Sequence, residues 1–65
     1  MADSGLDAVR QEFADLTGLY EDAALIASAG QGVKSHDQGR ARLRQLSAAM
    51  DRIRKRLVRL ERRLQ

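Results

Sequence analysis

Six basic side chains recur at helical spacing in the C-terminal part of this 65-residue sequence. At 100° per residue they share the face of a predicted helix opposite its leucines, and they are Arg52, Lys55, Arg56, Arg59, Arg62 and Arg63. Guanidinium and ammonium groups bind phosphate and carboxylate oxygens, so the pattern predicts a surface for nucleic-acid backbone or for an acidic protein. A solvated helix face that only keeps the chain dissolved is the competing interpretation. Base-specific readout is not expected, because no aromatic or Asn side chain lies among these cations.

Catalytic and metal-binding constellations are not recognisable in the sequence. The single histidine, His36, lies in a polar segment without a partner at ligand spacing, and cysteine is absent. The tripeptide Gly30-Gln31-Gly32 matches only the start of a dinucleotide-binding fingerprint, without a preceding strand or the third glycine. We therefore expect neither an enzyme nor a cofactor or metal site, because so short a chain has few residues left to shape a pocket.

Two apolar rows predict the helices that position the basic face. The first row is Leu6, Val9, Phe13, Leu16, Tyr20, Ala23 and Ala27, and the second is Leu43, Leu46, Met50, Ile53, Leu57, Leu60 and Leu64. Both rows advance by alternating steps of three and four residues, as helices do when they pack along a seam. We predict helices over about 5–28 and about 43–64, with Phe13, Tyr20 and Met50 in the core.

Residue types at the predicted helix ends suggest where each helix begins and stops. Ser4 with Asp7 predicts a capping box at the start of the first helix. Gly30 predicts its end, in the left-handed conformation that glycine adopts readily. Ser47 is a candidate N-cap for the second helix, although the apolar row reaches further back, so its start is predicted between residues 42 and 48.

The segment between the helices, about 29–42, contains three glycines and several polar residues. A small β-hairpin fits it, with arms at Val33–Ser35 and Ala41–Leu43 and a turn at His36–Gly39. An irregular polar loop fits nearly as well, because Val33 is the only β-branched residue in the two arms. Either connector reverses the chain, so we predict two long antiparallel helices in a mostly α (small α+β) fold.

Charge is divided unevenly between the predicted helices. The net charge of +3 arises from 12 basic and 9 acidic residues. Residues 1–30 carry one basic and six acidic side chains, whereas residues 31–65 carry eleven basic and three acidic ones. We expect the acidic helix to lie against the basic one within a single domain over residues 1–65.

Apolar residues outside the two rows predict contact with other chains. They are Leu19, Leu25, Ile26 and Val58. Two helices cannot enclose a core, and extra apolar surface on a small chain usually marks an interface. We therefore predict that neighbouring subunits, as a homo-oligomer in an assembly, or another protein complete the fold. No apolar run approaches the length of about 20 residues needed to span a membrane, and no signal peptide is recognisable, so no membrane partner is expected.

The order of segments is informative as well. An Ala-rich helix ends in Ala27–Val33, a turn follows at Asp37–Arg40, and a Ser-initiated helix opens with Ser47–Ile53 and ends in Leu60–Arg63. Over about residues 16–63 this layout resembles the small head–tail joining (head-completion) proteins of tailed bacteriophages, the W-type family. In that family, a small β-hairpin joins two helices.

This resemblance implies a structural virion protein that assembles in the bacterial cytoplasm. Copies would form a ring under the portal and join capsid to tail, with portal and tail or neck proteins as partners and packaged DNA nearby. A second hypothesis is a dimeric basic helical hairpin, a four-helix-bundle regulator that binds nucleic acid non-specifically. A third hypothesis is a coiled-coil adaptor for an acidic protein.

Overall fold

Two long α-helices make up the part of the chain that the structure, a computed structural model, describes, residues 4–65. Helix α1 is Ser4–Gly30 and helix α2 is His36–Arg63, and residues 31–35 connect them. The helices pack antiparallel along their length into a rod of 56 × 16 × 10 Å. The predicted helical hairpin of mostly α class is confirmed.

The β-hairpin, one of the two connectors that fit the sequence, is not formed. Its proposed arms were Val33–Ser35 and Ala41–Leu43, but residues 4–65 contain no strand and α2 already begins at His36. The connector is therefore five residues long, where the sequence had predicted about 29–42. The glycine-rich composition was misleading, because Gly39 is accommodated inside the first turns of α2.

A reciprocal pair of hydrogen bonds explains why α2 begins so early. The Ser35 hydroxyl accepts a hydrogen bond from the Gln38 backbone N–H at 3.1 Å. The Gln38 side-chain oxygen in turn accepts one from the Lys34 N–H at 2.8 Å. These bonds satisfy backbone donors that a helix start otherwise leaves without partners. The Ser-x-x-Gln motif is thus the local signal for the start of α2.

Substitution of Ser35 tests this helix start. We expect Ser35→Ala to lower the free energy of unfolding by about 1 kcal/mol, because the first turn of α2 loses its cap. Ser47→Ala is the matched control, since Ser47 lies exposed inside α2 and alanine favours the helix interior. Urea unfolding followed by circular dichroism measures both variants. If Ser47→Ala is the more destabilising change, Ser35 is not the cap.

The end of α1 also differs from the prediction. No glycine in residues 4–65 has a positive φ, so the predicted left-handed stop at Gly30 is wrong and Gly30 is the last helical residue. The chain instead leaves through tight turns, in which the N–H of Gln31 donates to the Ser28 carbonyl at 3.0 Å and the N–H of Gly32 to the Ala29 carbonyl at 3.1 Å. The Ser4 side chain, and with it the predicted capping box, lies outside the described residues.

The core is a narrow seam between the two helices. Its buried apolar residues are Leu16, Ala23, Ala49, Ile53 and Leu60, and the partly buried Val9, Leu19, Ile26 and Leu46 pack against them. Ala23 and Ala49 are small, so the helix backbones can approach closely near the middle of the seam. Because the seam contains so few buried side chains, each of them contributes a large share of the free energy of unfolding.

The seam is rotated away from the predicted apolar rows. Phe13 and Tyr20, predicted to be core residues, are 54% and 48% exposed, and Met50 is 44% exposed. Leu19 and Ile26 occupy the seam in their place. Helix α1 carries three adjacent columns that contain apolar residues, whereas the third column of α2 is apolar only at Ala49. A seam between two helices holds only two columns from each. The column that contains Phe13 on α1 and the one that contains Met50 on α2 therefore stay on the surface.

The rod exposes a large area for its mass. Its accessible surface is 5244 Å². A compact protein of similar mass would expose about 4,200 Å². Neither α1 nor α2 combines the length and apolarity that crossing a bilayer requires. Its exposed apolar residues and its exposed basic residues are the candidate sites.

Candidate polyanion-binding and docking surfaces

Two of the six predicted basic residues form ion pairs with carboxylates of α1. An Arg56 guanidinium nitrogen lies 3.2 Å from an Asp15 carboxylate oxygen. The Arg63 Nε atom lies 2.7 Å from Glu12 Oε2. These ion pairs connect the basic helix to the acidic one, as the charge distribution predicted. Neither arginine is therefore a free binding group in the isolated hairpin.

The other four basic residues form an exposed row on α2, called the basic stripe from here on. Its members are Arg52, Lys55, Arg59 and Arg62. None of them forms an ion pair with another side chain in the described part of the chain. At 1.5 Å per residue the stripe is about 15 Å long. Lys55, Arg59 and Arg62 also line a shallow depression together with Val58 and Arg63.

The edge of α1 beside the basic stripe is acidic. Asp15, Glu21 and Asp22 line a surface depression there together with Arg56 of the other helix. The groove between the helices on this side therefore has one acidic and one basic wall. An anionic ligand would approach the stripe from the α2 side, because the acidic wall repels it from the groove itself.

Glu12 is a charged residue within the seam. The residue is only 8% exposed, and the guanidinium of Arg63 lies beside it at the open end of the hairpin. Sequence analysis did not single it out, although its spacing from Val9 and Leu16 places it among inward-facing residues. A buried carboxylate needs a cation, so this ion pair contributes to the order of the open end.

A second surface consists of the apolar residues that the seam leaves out, and it is called the apolar face. On α1 its members are Leu6, Phe13, Tyr20 and Ala27, and on α2 they are Leu43, Met50, Leu57 and Leu64. The seven larger ones are between 41% and 62% exposed. Both rows advance in steps of seven residues, and no charged residue interrupts either row.

Both rows of the apolar face lie on the same side of the hairpin. In the central part of the hairpin its members directly follow seam residues: Phe13 follows Glu12, Tyr20 follows Leu19, and Met50 follows Ala49. Two antiparallel helices are related by an approximate twofold axis perpendicular to the plane that contains both helix axes. Residues that directly follow seam residues therefore face the same side of the hairpin on both helices. At the open end, Leu6 and Leu64 accordingly line one depression. The basic stripe lies towards the opposite edge.

The four predicted oligomer residues divide into two groups. Leu19 and Ile26 are partly buried against α2 of the same chain, in the seam that the predicted apolar rows were expected to fill. Leu25 and Val58 are 69% and 42% exposed on outer surfaces of α1 and α2. The role of all four residues in an interface stays a prediction. The apolar face was missed as a surface because its residues had been assigned to the core.

His36 is an exposed residue in the first turn of α2. Within the described residues, no three His, Asp or Glu side chains gather into a group that could hold a metal ion. No family of known proteins, no curated protein and no solved structure matches this chain. The basic stripe and the apolar face are therefore the features on which a function can be argued.

Proposed function

We propose that this protein binds nucleic acid non-specifically, through backbone phosphates held by the basic stripe. The observation that carries the proposal is the exposure of four cations without carboxylate partners in the described chain, while neighbouring Arg56 and Arg63 are paired with α1. Guanidinium groups bind phosphate oxygens in bidentate geometry, and three of the four stripe residues are arginines.

The chemistry of the stripe favours contact with phosphates over contact with bases. Residues 52–62 include no Asn, Gln or aromatic side chain that could read or stack on a base. Four phosphate contacts release about four counterions, so the logarithm of the binding constant should fall with the logarithm of salt concentration with a slope of about −3.6. Affinity at physiological salt should be in the range of about 10⁻⁴–10⁻⁶ M.

Fluorescence anisotropy with labelled duplexes of unrelated sequence tests the proposal. We expect similar affinities for all duplexes and a steep loss of binding as salt rises. The double variant Arg52→Gln with Arg59→Gln should reduce the slope by about 2 and weaken binding at low salt at least tenfold. Both effects are expected because the double variant loses two of the four phosphate contacts.

A second double variant provides a charge-matched control. Arg44→Gln with Arg54→Gln removes the same net charge from exposed positions of α2 outside the stripe. This control should retain most of the salt slope, because only the general attraction of the protein for polyanions is reduced. Equal losses in the two double variants, or no binding at low salt, would contradict a phosphate-binding stripe.

A head–tail connector in a bacteriophage virion is the second candidate function. The observation that favours it is the apolar face, since subunits of a ring need apolar surface for their neighbours. The family's small β-hairpin is not formed by residues 31–43, so this candidate depends on the two helices alone. Electron microscopy of purified virions should then show the chain in the neck below the portal, and a neck without it would exclude the role.

A further inference from the structure

The apolar face extends over most of the length of the hairpin. Its two rows lie level with each other, because Leu6 is beside Leu64 at the open end and both rows advance by seven residues. Phe13 is consequently level with Leu57, in the antiparallel arrangement of the helices. The result is a ladder of apolar pairs, which no intramolecular element covers in the described chain.

The area of this face is that of a protein interface. Taking roughly 200 Å² as the full area of a large apolar side chain, the seven exposed fractions leave about 700 Å² open on each copy. The largest apolar patch on a typical monomer is about 300–600 Å². Two such faces in contact would bury about 1,400 Å², within the range of about 1,200–2,000 Å² that stable interfaces need.

The border of the apolar face on one side combines small residues with charged ones. The next column contains the small residues Thr17, Ala24 and Ser47, together with the charged residues Arg10, Arg54 and Glu61. The Thr17 hydroxyl already donates a hydrogen bond to the Phe13 carbonyl oxygen at 3.0 Å. A helix packed on this face would therefore leave that donor satisfied.

Charge complementarity indicates which partner fits. One copy offers an acidic helix and a basic helix side by side, with net charges of −5 over residues 1–30 and +8 over residues 31–65. A second copy can be turned over about an axis parallel to the helices, which places its α1 on α2 of the first copy and its α2 on α1. Every helix then has neighbours of opposite charge. Turning the copy over about the perpendicular axis would instead stack basic on basic.

We infer that the apolar face binds a second copy of this chain, forming an antiparallel four-helix bundle with acidic helices on basic ones and both connectors at the same end. The interface is isologous, as expected for a twofold dimer. It completes the core that two helices alone leave open, because the apolar face of each copy becomes interior. The basic stripes stay on the outside, so this inference does not depend on the proposed nucleic-acid binding.

Sedimentation equilibrium of the full chain tests the dimer. We expect a species of twice the chain mass of 7.3 kDa at micromolar concentration. The double variant Phe13→Gln with Leu57→Gln should weaken association at least 100-fold while circular dichroism still shows a helical chain, because both positions are exposed in the single hairpin. A monomer for the unsubstituted chain at 100-fold higher concentration would overturn the inference and leave the face to another protein.

The variant Leu25→Gln with Val58→Gln is the matched control. It also removes two exposed apolar side chains, but these lie outside the apolar face. The control should dimerise as the unsubstituted chain does. Equal loss of association in both double variants would overturn the assignment of the interface to this face.

The orientation of the two copies can be measured separately. The chain has no cysteine, so Gln31→Cys introduces a single labelling site in the connector. Spin labels there should lie roughly 25 Å apart or less if both connectors are at one end. The opposite orientation would separate them by about one helix length, roughly 40 Å. The longer distance would overturn the charge-complementary arrangement.

Discussion

Replacement of Ile53 by alanine is expected to remove about 2–4 kcal/mol from the free energy of unfolding. Ile53 is 1% exposed, and it is the most completely buried large side chain of the seam. Truncation of this side chain leaves a cavity between α1 and α2. The two helices have few other buried contacts that could compensate for the lost stability. Since a chain of this length is expected to have only about 3–10 kcal/mol of stability, the variant should be largely unfolded at moderate urea concentrations.

Urea titration at one fixed protein concentration measures this effect, because the stability of an associating protein depends on its concentration. Leu25→Ala is the control, since this leucine is 69% exposed on the outer surface of α1. The control should change the unfolding free energy by less than about 0.5 kcal/mol. Equal effects at Ile53 and Leu25 would mean that the seam between α1 and α2 is not the core.

Glu12→Leu is expected to raise the free energy of unfolding by about 1–2 kcal/mol. The Glu12 side chain is only 10% exposed, so its charge loses most of its hydration on folding and Arg63 offsets this only in part. Leucine would continue the apolar seam between Val9 and Leu16, and the half-exposed Arg63 could turn to solvent. Thermal unfolding should show a midpoint increase of about 4–8 °C per kcal/mol.

Arg63→Ala is the companion change in a double-mutant cycle. Alone it should destabilise the chain by about 1–2 kcal/mol, because the buried Glu12 carboxylate loses its cation. In the Glu12→Leu background the same change should be nearly neutral, since no buried charge is left without a partner. An equal cost in both backgrounds would show that the ion pair does not couple the two helices.

The helices themselves were predictable because their signals are local. Alternating three- and four-residue steps identified both helices, and the charge counts correctly predicted an acidic helix against a basic one. The start of α2 was predicted too late, since Gly39 is atypical of a helix although Ser35 and Gln38 form its cap. That motif acts within four residues, so the sequence contained the signal for the correct boundary.

The basic face was predictable only in part. The side chains of the basic stripe are exposed as expected, because helical periodicity alone places them on one surface. Arg56 and Arg63 were assigned to the same surface, but both reach α1. Their partners Asp15 and Glu12 are more than 40 residues away in the chain, so no local pattern identifies them.

By itself, the sequence determined two amphipathic helices, the reversal between them and the division of charge, because each of these follows from local spacing and composition. Only the tertiary structure decided which apolar columns became the seam. Helix α1 offers three neighbouring apolar columns, and packing selected Leu19 and Ile26 over Phe13 and Tyr20. That choice places Asp15 beside Arg56 and leaves the apolar face on the surface. The energies of alternative seams depend on both helices together, so the selection cannot be read from either helix alone.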